Sequence, residues 1–440
     1  MREKVLTVLE ELISALVFIL VLIWPMNHLI AVRNIDIGVI FLLSLIFLGL
    51  GEKYKFKYFK EDNLLGIGIV SFLFLIIVTS FFSSFKEYAF LEIKGQFWAP
   101  LLLGVSSYLL VKAGFNYKRL FVYIFVAFFA IVAYHALYSL NVFAKHHTLP
   151  YRSFGITKGL DELNFLMPYL FSFFAVEFVF RIIKGKSLFK VSSFVLFLLF
   201  MVAVFSLVVQ FKRNGVFSLA FLVVSVMFFT FILQFKFKNL SKKLILFALI
   251  GFIGTMWFVY FDYKHDKRWR EFDRTFKITV INDNMDWYRV KHPPGVDGSA
   301  YRRLFYYKEG YKFLKENPFG YGFARNVFGK VASNKYHIKF SDHAHSTFIN
   351  VLLSVGIEGF LIYSFIFFTL MYIGVRSFMK YRSYFGLLLF YLATSFYFRS
   401  FIDDILKNHY FQQFVLLAAL SFFAMKREID ESNVSSLKEE

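Results

Sequence analysis

Residues 191–234 read VSSFVLFLLFMVAVFSLVVQFKRNGVFSLAFLVVSVMFFTFILQ. Two apolar runs stand here, near 191–211 and 215–234, and the short connection between them carries Lys212 and Arg213. Each run is long enough to cross the hydrocarbon core of a bilayer, which takes about 20 helical residues. The stretch therefore reads as a membrane-spanning helical hairpin with a charged tip. Runs of this kind recur on both sides of it. They lie near 12–32, 36–50, 63–84, 97–112, 120–142 and 162–181 before it, and near 243–261, 346–373, 383–400 and 407–425 after it.

The whole-chain composition agrees. Of the 440 residues 58% are hydrophobic, 65 are Phe, and the mean hydropathy is +0.57. A soluble domain is nearer 45–50% apolar, so the excess must face lipid. A soluble enzyme, a disordered chain and a secreted disulfide scaffold are excluded. The expected fold is an all-α polytopic membrane protein of about 12 transmembrane helices. No small-residue cleavage site follows the first apolar run, so it reads as a retained span and not a signal peptide. There is no cysteine, which removes disulfides, thiolate catalysis and Cys-ligated metals.

The net charge is +20. In a soluble chain that would suggest nucleic acid. Here the basic residues flank the spans, and no nucleic-acid partner is expected. With a cytoplasmic N-terminus, alternate connections carry Lys53, Lys55, Lys57, Lys60, then Arg181, Lys184, Lys186, Lys190, then Arg376, Lys380, Arg382 and others. These outnumber the basic residues of the short loops opposite by more than two to one, which by the positive-inside rule makes both termini cytoplasmic. The expected organisation is nine spans over 1–261, one large extracytoplasmic loop over 262–344, three spans over 345–425 and a polar, mobile tail over 426–440. Within the loop, Leu304, Tyr307, Tyr311 and Leu314 recur at helical spacing in the stretch Arg303–Glu316, predicting an amphipathic helix across the bundle.

Charged groups at spans carry a functional prior because burying them is costly. Arg213 reads either as an interfacial residue with its charge in the headgroups or as an anion clamp. A guanidinium that cannot deprotonate suits the second role. The end of the large loop holds Asp342, His343, Ala344, His345 and Ser346 before the next span. A helix cap, a His-x-His metal site and a general base are the alternative readings. The metal reading lacks further ligands of suitable type. His146, His147, His265, His292 and His337 read as surface residues, and Asp403-Asp404 as a weak carboxylate pair in the last external loop. Asn317-Pro318-Phe319-Gly320-Tyr321-Gly322 reads as a sharp turn after the amphipathic helix.

The region from Arg303 to Gly359 resembles the signature region of the O-antigen ligase family, whose membrane domain is shared with some polysaccharide polymerases. The hallmark is a His followed by Asn, Ser or Gln, nine residues, and Gly-x-x-Gly. His345-Ser346 and Gly356-Ile357-Glu358-Gly359 fit it completely. Arg303 stands ahead of Pro318, Gly320 and Gly322 as the family's arginine does, and Arg213 matches its second arginine, with Phe217 in place of the usual Leu. The resemblance implies a GT-C-like inner-membrane glycosyltransferase with a periplasmic active site and no metal or other cofactor. It would move glycan from undecaprenyl pyrophosphate to lipid A–core. On that reading Arg213 and Arg303 bind the pyrophosphate and His345 is the base, assisted or replaced by His343. Ser346, Pro318, Gly320, Gly322, Gly356 and Gly359 are motif positions. Membrane lipids are the other partners, and self-association is left open. An O-antigen polymerase, a protein O-oligosaccharyltransferase and, more remotely, a flippase compete with the ligase reading.

Overall fold

The computed structural model describes residues 2–52, 54, 56, 60–147, 162–183, 187–209, isolated positions between 253 and 264, then 271–281, 295–337, 343–406 and 408–436. Among the described residues the chain is helical, without strands. Helix α1 (Arg2–Ile23) stops ahead of Pro25, whose ring and missing N–H prevent helix continuation. A single 3₁₀ turn (Asn27–Leu29) then leads into α2 (Ile30–Leu50). The first two expected spans, 12–32 and 36–50, are thus misplaced: the break falls at Pro25, and Arg33 and Asp36 lie inside α2 as buried residues. Arg33 ties the hairpin by donating from Nη1 to the Trp24 carbonyl at 2.7 Å.

Helices α3 (Lys60–Phe81), α4 (Lys86–Lys112), α5 (Tyr117–His146), α6 (Glu162–Ile182) and α7 (Ser193–Val209) follow. A short helix α8 (Phe272–Phe276) runs into a π-turn (Lys277–Ile281), and α9 (Gly298–Glu316) and α10 (Val327–Tyr336) come next. The chain ends with α11 (Thr347–Tyr381), α12 (Tyr384–Ile402) and α13 (Asn408–Ser436). Seven described helices are long and apolar enough to cross a membrane: α1, α2, α3, α5, α6, α11 and α12. Helix α7 is apolar but shorter, and α4 and α13 carry charged or polar ends. The expected span at 215–234 and most of that at 243–261 lie outside the described residues.

Helix α11 is the spine. It packs along α12 and α3, while α13 fills the space between α4 and α12. Helix α6 lies against α12, and 89% of its apolar stretch is buried, against 28% for α1 and α3. The inner helices therefore meet protein on most sides and the outer ones meet lipid. Ile35, Val70, Leu91 and Leu137 stand outward on α2, α3, α4 and α5, each more than 60% exposed. In water such a surface would aggregate; against acyl chains it costs nothing.

The basic connections share one end of this bundle. Arg119 pairs with Glu11, Arg376 with Glu61, and Lys426 with Asp62. Arg427 donates to the Phe115 carbonyl at 3.1 Å and lies over the Tyr54 ring. Residues from Lys426 continue α13 as far as Ser436, with buried Lys426 paired to Asp62 of α3 and half-buried Arg427 bonded to the Phe115 carbonyl just before α5. The expected polar tail therefore begins as helix.

At the opposite end a smaller core caps the bundle. Phe305, Tyr306 and Phe313 of α9 pack on Val327, Phe328 and Ala332 of α10 and on Ile349 and Leu353 of α11. The amphipathic helix is present, starting five residues before Arg303 at the Asp297 cap, where the carboxylate accepts from Ser299 N at 3.1 Å. Its buried face differs from the expected one. Phe305, Tyr306, Glu309 and Phe313 point inward, whereas Tyr311 is 58% exposed and Leu304 and Tyr307 are only half-buried. Two interleaved apolar stripes fit this helix, and docking on α11 selected the one containing Phe305 and Phe313.

Candidate functional site

The site is built by a break in α11. Gly356 has φ +74° and ψ −171°, outside any helical geometry, so backbone carbonyls one turn earlier lose their partners. The turn 318–322 supplies new ones. Tyr321 N donates to Leu353 O at 2.7 Å, Gly322 N to Ser354 O at 3.0 Å, and Ile357 N to Pro318 O at 3.0 Å. Gly320 (φ +88°) is pressed so close that a Cβ there would meet Gly356 N at 2.6 Å. Only glycine tolerates both the positive φ and the contact. The expected turn is present, and the two glycine motifs form one joint that holds α9, and with it Arg303, against the start of α11.

That start carries the histidines. Ser346 caps α11, its Oγ accepting from Ile349 N at 3.4 Å. His345, just before it, sits in the left-handed region at φ +50°, which a non-glycine residue adopts only where the surroundings hold it. Its ring stacks on Tyr306 of α9 with centroids 6.0 Å apart, and the His343 ring meets it edge-on at 4.0 Å. Tyr307 lies beside Ser346, the two hydroxyls 3.0 Å apart, and donates to the Phe401 carbonyl of α12. Burial pushes the Tyr307 phenol above its ordinary value of 10.0, with the Ser346 hydroxyl and the Arg303 charge opposing. It is therefore a neutral donor at physiological pH.

Arg303, one turn before Tyr307 on α9, approaches Asp403. Its Nη2 is 3.8 Å from Oδ1, and a quarter of the side chain stays exposed. The other carboxylate oxygen of Asp403 takes two bonds from Arg399, from Nε at 3.2 Å and Nη2 at 3.1 Å. Arg399 is 3% exposed, donates to the Asn164 carbonyl at 2.6 Å and lies over the Phe165 ring at 4.0 Å. One carboxylate is thus divided between two guanidiniums. Arg399 is the closer of the two, and Arg303, a quarter exposed, stands at the edge of the site. Such a group, near the positive end of α11, suits a phosphate-bearing ligand.

The structure brings Arg303, His343, His345 and Ser346 into one corner through Tyr306, Tyr307 and Asp403. Arg213 and Asp342 lie outside the described residues, as do Trp269 and Trp287. His147 and His337 are exposed residues just past helix ends, as expected. Sequence reading undervalued Arg399 and Asp403. Little in the local pattern singles out Arg399, yet it is buried in the last turn of α12. The available signal was an arginine flanked by apolar residues four positions before an aspartate, a spacing that pairs charges on one helical face.

A bundle of membrane-length helices with an arginine–histidine–carboxylate cluster at one end is the architecture of a polytopic membrane protein. Residues 198–364, somewhat over a third of the chain, match the family model described as O-Antigen ligase. Proteins with this domain are membrane glycosyltransferase-like enzymes, ligases or polymerases. The matched segment holds Arg303, His345, Ser346, Gly356 and Gly359; Arg399 and Asp403 lie beyond it. No curated protein matches the chain.

Proposed function

We propose that this chain is an O-antigen ligase, transferring glycan from undecaprenyl pyrophosphate to lipid A–core at the periplasmic face of the inner membrane. The convergence of Arg303 with His345 and Ser346 is the observation that carries the reading. It lies at the end of the bundle opposite the basic connections, which supports a periplasmic site, twelve spans and cytoplasmic termini. In the step envisaged, an acceptor hydroxyl loses its proton to His345 as its oxygen attacks the anomeric carbon. The bond from that carbon to the pyrophosphate oxygen breaks, with inversion, and undecaprenyl pyrophosphate leaves. Arg303 and Arg213 hold the departing charge, the part a divalent ion plays elsewhere. His343, edge-on to His345, orients or shares the base.

A site at the bilayer surface suits two lipid-linked substrates. Extracting an acyl or prenyl chain costs about 0.8 kcal/mol per CH₂, which a laterally open groove avoids. The test is transfer by the purified protein in nanodiscs, with undecaprenyl-pyrophosphate-linked glycan, lipid A–core and EDTA. Glycan appearing on lipid A–core, and lost in His345→Ala, is the expected result. Elongation of the lipid-linked glycan alone would make the protein a polymerase. Transfer only to an added protein would make it an O-oligosaccharyltransferase.

A further inference from the structure

One turn of α11 beyond Ser346 lies a small cleft. It is lined by Gln96 of α4, Phe323 and Arg325 of the 323–326 segment, Asn350 and Ser354 of α11, and Asp404. It has room for little more than one water-sized group at its floor. Asn350 is 7% exposed, and neither its carboxamide nitrogen nor its oxygen has a hydrogen-bond partner among the described residues. A buried carboxamide with no partner costs stability. Leucine would fill the same volume without that cost. A polar residue kept there calls for a polar occupant.

The lining indicates which kind. A phosphate would be repelled by Asp404, whose Oδ1 is 3.5 Å from the Thr347 hydroxyl. Two carboxamides, a serine, a carboxylate and a guanidinium around an aromatic wall instead offer donors and acceptors together, the complement of a hydroxyl that does both. The ring of Phe323 presents an apolar face to the C–H side of a sugar. Position agrees as well. Asn350 N donates to Ser346 O at 3.1 Å, so the cleft is one helical turn, about 5.4 Å, from the capping serine beside His345. That is comparable to the width of one sugar ring.

We infer that the Asn350 cleft is a sugar subsite, in which one hydroxyl of a pyranose bonds the Asn350 carboxamide while the ring reaches the His345 corner. The inference rests on the glycan-transfer reading and adds a specificity-determining residue to it. Axial or equatorial placement of that hydroxyl decides whether it enters, so Asn350 would select among sugars of equal charge and size.

Binding separates this from catalysis. Wild-type protein in nanodiscs is titrated with two delipidated glycans, core oligosaccharide and repeat-unit oligosaccharide, and with inorganic pyrophosphate, by calorimetry. Asn350→Leu is expected to keep or raise Tm while weakening one oligosaccharide at least tenfold and leaving pyrophosphate unchanged. The glycan that weakens identifies the sugar as acceptor or donor. In transfer, KM for that glycan rises more than kcat falls. Asn350→Ala, with the same readouts, serves if the leucine variant does not fold. Unchanged oligosaccharide binding in a folded variant, or loss of pyrophosphate binding instead, overturns the proposal. Binding that responds to Asn350 while transfer to lipid A–core fails would overturn the ligase reading alone.

Discussion

The two ends of the bundle solve the problem of placing charge beside lipid in opposite ways. At one end, Glu11, Glu61 and Asp62 meet Arg119, Arg376 and Lys426 one for one across helices. At the other, Asp403 is divided between Arg399 and Arg303, and α11 is broken at Gly356. Paired charges make a seal. A carboxylate shared by two arginines, a broken helix and an unpartnered carboxamide suit a place where a ligand would complete the bonding. The second end is costly to fold, and function is the reason for accepting that cost.

That contrast is open to breakage. His345→Ala should reduce glycan transfer about 10²- to 10⁴-fold, the range for removing a positioned base, with the melting temperature in detergent unchanged. Arg376→Ala at the sealed end should leave transfer within about twofold. If both variants lose activity equally, the two ends do not differ in the way argued. Arg399→Met comes next, because it strands buried Asp403; breaking such a pair costs about 3–5 kcal/mol, read as a fall in thermal or denaturant midpoint. Glu431→Gln, which removes the 44% exposed acid and leaves Arg427 its bond to the Phe115 carbonyl, should cost at most about 1 kcal/mol.

Gly356→Ala tests the joint between the glycine motifs. The positive φ and a Cβ placed 2.4 Å from Pro318 O should destabilise by about 1–3 kcal/mol for the strain alone, and transfer should fall with it as α9 loosens. Gly359→Ala, on the same helix with ordinary φ, probes the motif without the joint. A comparably small effect belongs to Tyr307→Phe, about 1 kcal/mol for its hydrogen bonds. Because its folded-state value is raised, the Tyr307 phenol contributes stability that is complete below pH 10 and is lost as pH rises beyond it. The Phe variant should therefore lose less stability than wild type between pH 9.5 and 11, and match its slope between pH 6 and 8.

Much of this was legible in the residues. Apolar run length identified membrane helices, and serine and glycine marked the breaks at Ser346 and Gly320, whereas the break at Pro25 fell inside an expected span. The distribution of lysine and arginine sorted the connections into two groups that the fold places at opposite ends. These are local signals, set by the bilayer's thickness and by backbone sterics, and each can be read within a few residues. The hallmark His345-Ser346 likewise announced a site near the membrane surface.

Long-range packing decided the rest. Periodicity offered α9 two apolar stripes, and only the surface of α11 chose the one with Phe305 and Phe313. Arg399 and Asp403 are unremarkable in sequence; burial against Asn164 and Phe165 of α6 makes their pairing obligatory, since a lone charge there would not be tolerated. The link between Gly320 and Gly356 joins residues whose hydrogen bonds exist only because one helix breaks where another segment arrives. Sequence alone determined that the chain is built of membrane-length helices and roughly where most of them lie, because that depends on each segment's own contact with lipid and water. Which side chains meet, and hence what the site can hold, was decided by the tertiary structure, because a buried charge or carboxamide takes its meaning from the partner that packing brings to it.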